Sequence, residues 1–423
     1  MSNTIALCWE LGGGLGHVTG LKMLADRLIQ SGVQVILVVK TPHDLLSFKS
    51  CPPAQLTPIV LQAPRWRQTS PSSNSGQRFT EKPITNYAAT LLAAGYHDGK
   101  QLQQHCDDWQ ALLKQHQVSL VVADHAPTAR IAAHLLSIPH IGIGTGFCCP
   151  PKQTPFPAFD MAPDVDDNAR IVADQALTQQ INQVLQAAGA SQVTNAQQIL
   201  CSDNDVLNTL PHMDHYQRQN QDGYWGPLFS QQLGTQNQIG NSDNTEVPSA
   251  AHSKTKKRLL CYLKAGYPNI SALVWALVNS DAEKLVYMND NGELANILRN
   301  DPLTQFSQTP IDINTELGAA DLVICHGGHN LSAQTLLAGV PLLMLPEHME
   351  QGVLANKLQQ QGLALACDTK RTTEEYQTMI NKGLTDPQLT ANSQAFANHY
   401  RGYDSDEMAD EMSEMFLEII KGQ

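Results

Sequence analysis

Glycines and polar residues follow an apolar run near position 325 at a spacing that suits an anion. The run Leu322–Cys325 leads into His326-Gly327-Gly328-His329-Asn330, and residues 331–338 continue in a helical pattern. Glycines let a backbone approach a ligand closely, and the N-terminus of a helix attracts negative charge. His326 and Asn330 add side-chain donors at the same point. The pattern predicts a binding site for a diphosphate.

A second group of polar residues follows the next apolar run, residues 342–345. The group comprises Glu347, His348, Glu350 and Gln351. Side chains rich in acceptors beside a phosphate site suit the hydroxyls of a sugar. The two groups together predict a sugar-diphosphate site, and the alternative is an ordinary strand–turn–helix with incidental polar residues. Lys264, directly after the run Arg258–Leu263, either adds a charge near the phosphates or is an ordinary surface lysine.

A histidine near the N-terminus has the type and position of a general base. His17 follows the apolar run Thr4–Trp9 and the turn Gly12-Gly13-Gly14-Leu15-Gly16. Histidine removes protons near neutral pH, and a carboxylate can hold its tautomer and stabilise the imidazolium. Asp124 is the candidate carboxylate because it ends another apolar run, and parallel strands end at the same edge of a sheet. Helix capping or contact with a donor is the alternative for His17.

The glycine turn before His17 does not match the dinucleotide-binding pattern. No Gly-x-Gly-x-x-Gly register fits residues 12–17, and the next strand ends in Lys40, where an NAD site carries an acidic residue. The turn is therefore a poor indicator of an oxidoreductase.

Two series of alternating strands and helices must position these residues. Strands are predicted at 4–9, 33–39, 118–123 and 140–143, and again at 258–263, 284–288, 322–325 and 342–345. Such alternation is typical of parallel α/β sheets. The predicted organisation is an N-terminal Rossmann-like, acceptor-binding domain (1–223), an interdomain linker with a flexible polar segment (224–257), a C-terminal Rossmann-like, nucleotide-sugar-binding domain (258–400) and a C-terminal helix (401–423).

Composition excludes several classes of protein. The chain has 423 residues and a net charge of −13, and its one basic cluster is Lys254, Lys256, Lys257 and Arg258, so nucleic acid is not the expected partner. The nine cysteines are scattered with no zinc-site spacing. Asp-x-Asp strings begin at Asp164, Asp203 and Asp404, which we interpret as coincidental, so we expect no required metal. No signal peptide or membrane span is expected, which favours a cytoplasmic protein with peripheral membrane contact still open.

Residues 326–351, HGGHNLSAQTLLAGVPLLMLPEHMEQ, resemble the donor signature of the GT-B glycosyltransferases. The resemblance is to the superfamily of UDP-glycosyltransferases, macrolide glycosyltransferases and the N-acetylglucosaminyltransferase that forms lipid II. It extends in order over residues 12–32, 121–146 and 208–227. It implies an α/β GT-B fold, in which two Rossmann-like domains face each other across a cleft and the C-terminal helix packs on the N-terminal domain.

The resemblance also implies an activity and a set of site residues. The activity is inverting, metal-independent transfer of a hexosyl group from a UDP- or dTDP-sugar to an acceptor hydroxyl, with no cofactor besides this co-substrate. His17 and Asp124 are the expected catalytic residues. Independently of the resemblance, the irregular segments 62–77 and 147–167 are expected to contact the acceptor through the aromatic side chains of Trp66, Phe147 and Phe156. The expected donor-binding residues are Gly14, Gly16, Lys264, Ile311, His326, Gly327, Gly328, His329, Asn330, Ser332, Gln334, Glu350 and Gln351.

Three departures from the family pattern bear on the donor. Leu331 replaces a phosphate-binding serine, Gln334 replaces the glutamate that clamps the ribose, and the base-stacking tryptophan is missing near residues 308–311. Gln334 can bond one ribose hydroxyl but lacks the charged bidentate grip. UDP is favoured over dTDP, and both remain open. A nucleotide-sugar hydrolase or 2-epimerase, or a non-catalytic donor-binding partner subunit, are the alternative functions. The acceptor and the oligomeric state are not predicted.

Overall fold

The structure is a computed structural model that describes residues 3–13, 15–42, 58–66, 84–160, 166–218, 223–229, 256–290, 292–367 and 371–422. It comprises two compact units, one formed by Met1–Phe229 with Asp404–Gln423 and the other by Ser230–Tyr403. Gly14, Asp164 and most of the polar segment 230–257 lie outside the described residues, as do 67–77 and 161–165 of the predicted acceptor segments.

The first unit is built on a parallel sheet of six strands. Its apolar, β-branched runs suit strands that are covered on both faces. The strand order is β3-β2-β1-β4-β5-β6, so the order reverses between β1 and β4. The strands are β1 (Thr4–Trp9), β2 (Gln34–Val39), β3 (Ile59–Gln62), β4 (Val118–Asp124), β5 (His140–Gly144) and β6 (Val206–Leu207).

Helices cover both faces of this first sheet. They are α1 (Leu15–Gln30), α2 (Tyr87–Leu91), α3 (Gly99–Gln115), α4 (Pro127–Leu135), α5 (Asp167–Ala187) and α6 (Gln197–Leu200). Ile5, Leu7 and Trp9 point from β1 into the cluster that α1 covers, whereas Ala6 and Cys8 point into the cluster on the other face. The period of two in β1 therefore places Trp9 on the side of α1.

The second unit repeats the same topology. Its parallel sheet has the order β12-β11-β10-β7-β8-β9, which reverses between β7 and β10. The strands are β7 (Arg258–Leu263), β8 (Glu283–Met288), β9 (Thr304–Ser307), β10 (Leu322–Cys325), β11 (Leu342–Met344) and β12 (Ala364–Ala366). The helices are α7 (Ile270–Val278), α8 (Glu293–Asn300), α9 (Ile313–Glu316), α10 (His329–Leu337), α11 (Met349–Gln360), α12 (Thr373–Thr385) and α13 (Pro387–His399).

The C-terminal helix α14 (Ser405–Lys421) belongs to the first unit. Its apolar stripe, which includes Met412 and Phe416, lies in the same buried cluster as the apolar face of α1. Arg27, in the last turn of α1, forms ion pairs with Asp406 and Asp410. The predicted packing of this helix on the N-terminal domain is therefore confirmed.

The two α/β series predicted from the sequence are confirmed, and every predicted strand lies within one residue of its observed bounds. The segment 224–229, predicted as part of a linker, instead belongs to the first unit, where Leu228 is fully buried and Trp225 packs against the cluster beneath α1. In the described part of the chain, none of the helices combines the length and the apolar character that crossing a membrane requires.

Candidate active site

The imidazole of His17 and the carboxylate of Asp124 are in hydrogen-bond contact. His17 lies in the first turn of α1 and Asp124 ends β4, and 2.9 Å separates His17 Nδ1 from Asp124 Oδ1. Asp124 is buried and His17 partly so. The pair lies where the strand order of the first sheet reverses, at the carboxyl ends of the strands, which is where such sheets bind ligands. A carboxylate at Nδ1 favours the tautomer in which Nε2 accepts a proton.

Trp9 contacts one face of the same imidazole. The indole and the imidazole are stacked, with ring centroids 5.2 Å apart and planes inclined by 16°. Trp9 and Asp124 are partner positions in the register of β1 and β4. His17 therefore contacts the last residues of two neighbouring strands. Sequence reasoning missed Trp9, although its position at the end of β1 and the alternation of that strand could have indicated it.

The glycine turn before His17 is held tightly against the ring. Gly12 has a φ of +81°, and a Cβ on it would lie 3.3 Å from His17 Nε2 and 3.3 Å from His125 Nδ1. The ammonium of Lys40 donates to the Gly12 carbonyl at 2.6 Å. A larger residue at position 12 would strain the backbone and crowd the imidazole. Gly16 is exposed in the first turn of α1.

A buried carboxylate next to Trp9 was also missed. Glu10 accepts hydrogen bonds from the backbone N–H and the hydroxyl of Thr128, at 3.0 and 2.7 Å, and contacts His105 Nε2 at 2.9 Å. All three residues are buried. The network connects β1 with α3 and α4 at the face opposite α1. We interpret it as the support of the strand edge that carries Trp9.

In the second unit, the predicted phosphate turn connects β10 to α10. Gly327 has a φ of +78°, a backbone conformation that favours glycine, and a Cβ on it would lie 2.9 Å from Met344 Cε, so the end of the methionine side chain would have to shift. Gly328 is the N-cap of α10, and His329 and Asn330 form its first turn. The positive end of the helix dipole is therefore located at the carboxyl end of β10.

The side chain of His326 contacts backbone groups at the ends of the two strands that flank β10. Its Nε2 accepts the backbone N–H of Lys264 at 2.9 Å, and its Nδ1 lies 3.1 Å from the carbonyl of Leu345. The ring is 6% exposed and packs against Tyr267. Burial lowers the pKa of His326 below 6.5, against the opposing effect of Glu347. The neutral ring ties the ends of β7, β10 and β11 together, and its contact with a diphosphate stays a prediction.

The predicted sugar-binding residues form a connected group at the same sheet edge. Lys264 Nζ pairs with Glu347, and the backbone N–H of Glu347 donates to Gln351 Oε1 at 2.9 Å. Gln351 is buried, and Glu350 lies in the first turn of α11. Lys264 is therefore not an isolated surface lysine, since it pairs with a residue of the predicted sugar-binding group.

Three other residues that were predicted to contact the donor lie in or next to the helices of the second unit. Ser332 is 0% exposed and lies on the buried side of α10, so its contact with a donor stays a prediction. Gln334 donates from Nε2 to the carbonyl of Asn330 at 3.2 Å, one turn back in the same helix. Ile311 is half-buried between β9 and α9.

The aromatic residues predicted to contact the acceptor are largely core residues. Phe156 is completely buried, and its role as an acceptor contact stays a prediction. Trp66 packs on Tyr96 and His105, with ring centroids 5.1 and 4.5 Å away. Phe147 is buried and stacks on Phe159 with centroids 4.8 Å apart. These aromatic side chains anchor their irregular segments to the core of the first unit.

Two of the Asp-x-Asp strings have structural roles in the described residues. Asp205 pairs with Arg130 and accepts the backbone N–H of Gly142, and Asp404 caps α14. Within the described ranges, no group of three or more histidine, cysteine or acidic residues could hold a metal ion.

Sequence comparisons find similarity to glycosyltransferases. Residues 289–405 match the family model described as the Glycosyltransferase family 28 C-terminal domain. A "PGL/p-HBAD biosynthesis glycosyltransferase" of Mycobacterium tuberculosis is 26% identical over 134 residues, 32% of this chain and 31% of that protein. The "NDP-glycosyltransferase YjiC" of Bacillus subtilis is 43% identical over 49 residues, 12% of each chain. The match with the mycobacterial relatives spans about a third of their length (31%).

Solved structures match the whole fold. The glycotransferase of kitacinnamycin has a TM-score of 0.66 at 14% identity and covers 99% of each chain. The glycosyltransferase VinC, solved in complex with dTDP, has a TM-score of 0.65 at 14% identity and covers 100% of each chain. At these identities the likeness shows the fold.

Proposed function

We propose, from the membership of this chain in the superfamily of GT-B glycosyltransferases, that it transfers a hexosyl group from a nucleoside diphosphate sugar to an acceptor hydroxyl. The observation that carries the proposal is the contact between His17 and Asp124 at the strand-order reversal of the first sheet. The glycine turn and the N-terminus of α10 occupy the corresponding position in the second sheet. The pair of His17 and Asp124 suits proton removal, and the glycine turn with the N-terminus of α10 suits the binding of an anion.

The reaction is a single displacement with inversion. His17 accepts the proton of the acceptor hydroxyl on Nε2 while its Nδ1–H donates to Asp124. The acceptor oxygen forms a bond to the anomeric carbon, and the bond from that carbon to the diphosphate oxygen breaks. The electron pair of the broken bond remains on the diphosphate. The imidazolium formed is stabilised by the buried Asp124 carboxylate.

The donor is held by the end of the second sheet. The N-terminal turn of α10, with Gly327, Gly328, His329 and Asn330, stabilises the charge that develops on the departing diphosphate. Glu350 accepts sugar hydroxyls, and Gln351 offers its amide N–H groups because its oxygen already accepts from Glu347. Lys264, which pairs with Glu347, exchanges that partner for a phosphate when the donor binds. His326 shapes the site through the backbone.

The nucleotide is UDP or dTDP. Gln334 gives its amide N–H to Asn330, so its oxygen can accept from one ribose hydroxyl. One hydroxyl is present in both nucleotides, whereas the second is present only in UDP. UDP-sugars were favoured from the sequence, and VinC, a structural neighbour, was solved with dTDP. The proposal therefore includes both donors.

Replacing His17 with alanine tests the proposal. Transfer from UDP- and dTDP-hexoses to a panel of phenolic, polyketide and lipid acceptors is followed by mass spectrometry, and donor binding by calorimetry. We expect at least a hundredfold loss of turnover with unchanged donor affinity, since general-base catalysis contributes about 10²–10⁴-fold. His116→Ala, at the end of α3, is the matched control and should leave turnover unchanged. Near-normal turnover of the His17 variant would refute the assignment.

Two further measurements separate the alternative functions. Rapid loss of donor without acceptor would indicate a hydrolase or 2-epimerase. Donor binding without turnover across the panel would indicate a binding subunit. Transfer that disappears with EDTA and returns with Mn²⁺ would contradict the proposed independence from metal.

A further inference from the structure

The imidazole of His17 has a flat, electron-rich surface against one face. Trp9 and His17 are nearly parallel, with centroids 5.2 Å apart. That separation is within the range of about 6 Å in which a cation is attracted by the face of an indole. The imidazole becomes a cation when it takes a proton from the acceptor. The stack therefore favours the protonated ring more than the neutral one.

The indole is held so that it cannot turn away. Its Nε1 donates to the carbonyl of Leu11 at 2.6 Å, and its side chain is 1% exposed within the cluster that α1 covers. Its backbone pairs with Asp124 of β4 at the end of β1. Because the ring is fixed before any ligand binds, its attraction for a cation requires no reorganisation.

The charged groups around His17 act in both directions. Asp124 contacts Nδ1 and favours the imidazolium. Lys40 donates to the carbonyl of Gly12, and a Cβ on that glycine would lie 3.3 Å from both His125 Nδ1 and His17 Nε2. A positive charge on Lys40 or on His125 therefore opposes the imidazolium of His17. The indole is the uncharged member of this set, and it is stacked on the imidazole.

We propose that Trp9 is a positioning residue that stabilises the protonated state of His17 and fixes the plane of its ring. This inference rests on the proposed function, in which His17 is the general base. With the indole in place the base is stronger, and the ring is held at the orientation that its bond to Asp124 requires. Removing the indole weakens the base and loosens the ring without touching the donor site.

The test measures the pKa of His17 directly. Imidazole resonances of the full chain are titrated by NMR in the wild type, Trp9→Phe and Trp9→Leu, with His17→Gln providing the assignment. We expect the His17 pKa to fall by about half a unit to one unit in Trp9→Leu and by less in Trp9→Phe, since phenyl rings attract cations more weakly than indole. The acidic limb of kcat/KM should move to lower pH by the same amount, and plateau kcat should fall while donor affinity stays unchanged.

Trp109→Leu is the matched control, because Trp109 is a fully buried tryptophan of the same unit whose cluster lies on the opposite face of the sheet. A purely structural role of Trp9 would make both tryptophan variants alike, with lower stability and an unchanged His17 pKa, and would overturn the proposal. Trp9→Phe retains an aromatic core residue and provides the folded variant if Trp9→Leu is unstable. An inactive wild type whose His17 pKa still falls in these variants would refute the proposed function while supporting the stack.

Discussion

His326 provides the sharpest test of how the donor site is built. In this structure its ring accepts from the backbone N–H of Lys264 and contacts the carbonyl of Leu345. His326→Ala removes both partners. We expect the ends of β7, β10 and β11 to open more readily, because the ring is the side chain that ties them together.

The magnitude follows from the two hydrogen bonds. A buried polar group without a partner costs about 1–3 kcal/mol. The Leu345 carbonyl belongs to a fully buried residue and bears the full cost, whereas Lys264 is exposed, so water can replace part of its bond. We expect a loss of roughly 2–4 kcal/mol in the free energy of local opening. At about 1.4 kcal/mol per factor of ten, amide protection should fall about 30- to 1,000-fold.

The assay is hydrogen exchange with mass spectrometry on peptides that cover 258–264, 322–328 and 342–347. His326→Asn retains a donor near the position of Nδ1, and His326→Gln retains an acceptor near the position of Nε2. Each of these two variants should show about half of the loss of amide protection that His326→Ala shows. UDP affinity should fall most in His326→Ala and less in His326→Asn and His326→Gln. His399→Ala, an exposed histidine of the same unit, is the control.

The same bonds predict how stability depends on pH. Burial lowers the pKa of His326 below 6.5, so below about pH 6.5 the unfolded chain binds a proton that the folded ring does not. Stability is therefore fully present above that pH and is lost as the pH falls below it. His140 acts in the same direction, since burial lowers its pKa to about 3. The difference in the pH dependence of stability between the wild type and His326→Gln isolates the contribution of His326.

Two results would refute this reasoning. One is unchanged protection of the three peptides in His326→Ala. The other is a His326→Ala variant with native protection and UDP affinity lost more than tenfold, which would mean that the ring contacts the diphosphate itself, as the sequence resemblance implied.

Two other predictions concern the ribose and the C-terminal helix. Gln334→Glu should raise the affinity for UDP about tenfold relative to dTDP, because a carboxylate can accept from both ribose hydroxyls and a charged hydrogen bond contributes about 1.5–3 kcal/mol. Competitive calorimetry measures the ratio of the two affinities. An unchanged ratio contradicts the placement of Gln334. Phe416→Ala, with its side chain completely buried between α14 and α1, should destabilise the first unit by about 3–5 kcal/mol in urea unfolding. Glu418→Ala, on the exposed side of α14, is its control, and equal stabilities would show that α14 contributes nothing to the unit.

The strands and the two site regions were predictable from the sequence for a local reason. Buried parallel strands are continuous apolar runs, and the residue after such a run lies at the ligand-binding edge of the sheet. Asp124 and the turn at Gly327 were identified in this way. The glycine turn at Gly12 placed His17 at the same edge, so sequence position alone led to the pair that the structure brings to 2.9 Å.

Which way each side chain points at that edge was decided by tertiary packing. Ser332 and Asn330 are two residues apart on one helix, and only contact with the sheet determines which of them is buried. His326 turns to backbone groups that directly follow β7 and β11, and Phe156 lies in a buried core. Trp9 stacks on His17 because α1 lies over one face of β1. The sequence determined which residues lie at the two sheet edges, since that depends on local periodicity, whereas their partners depend on contacts between elements far apart in the chain.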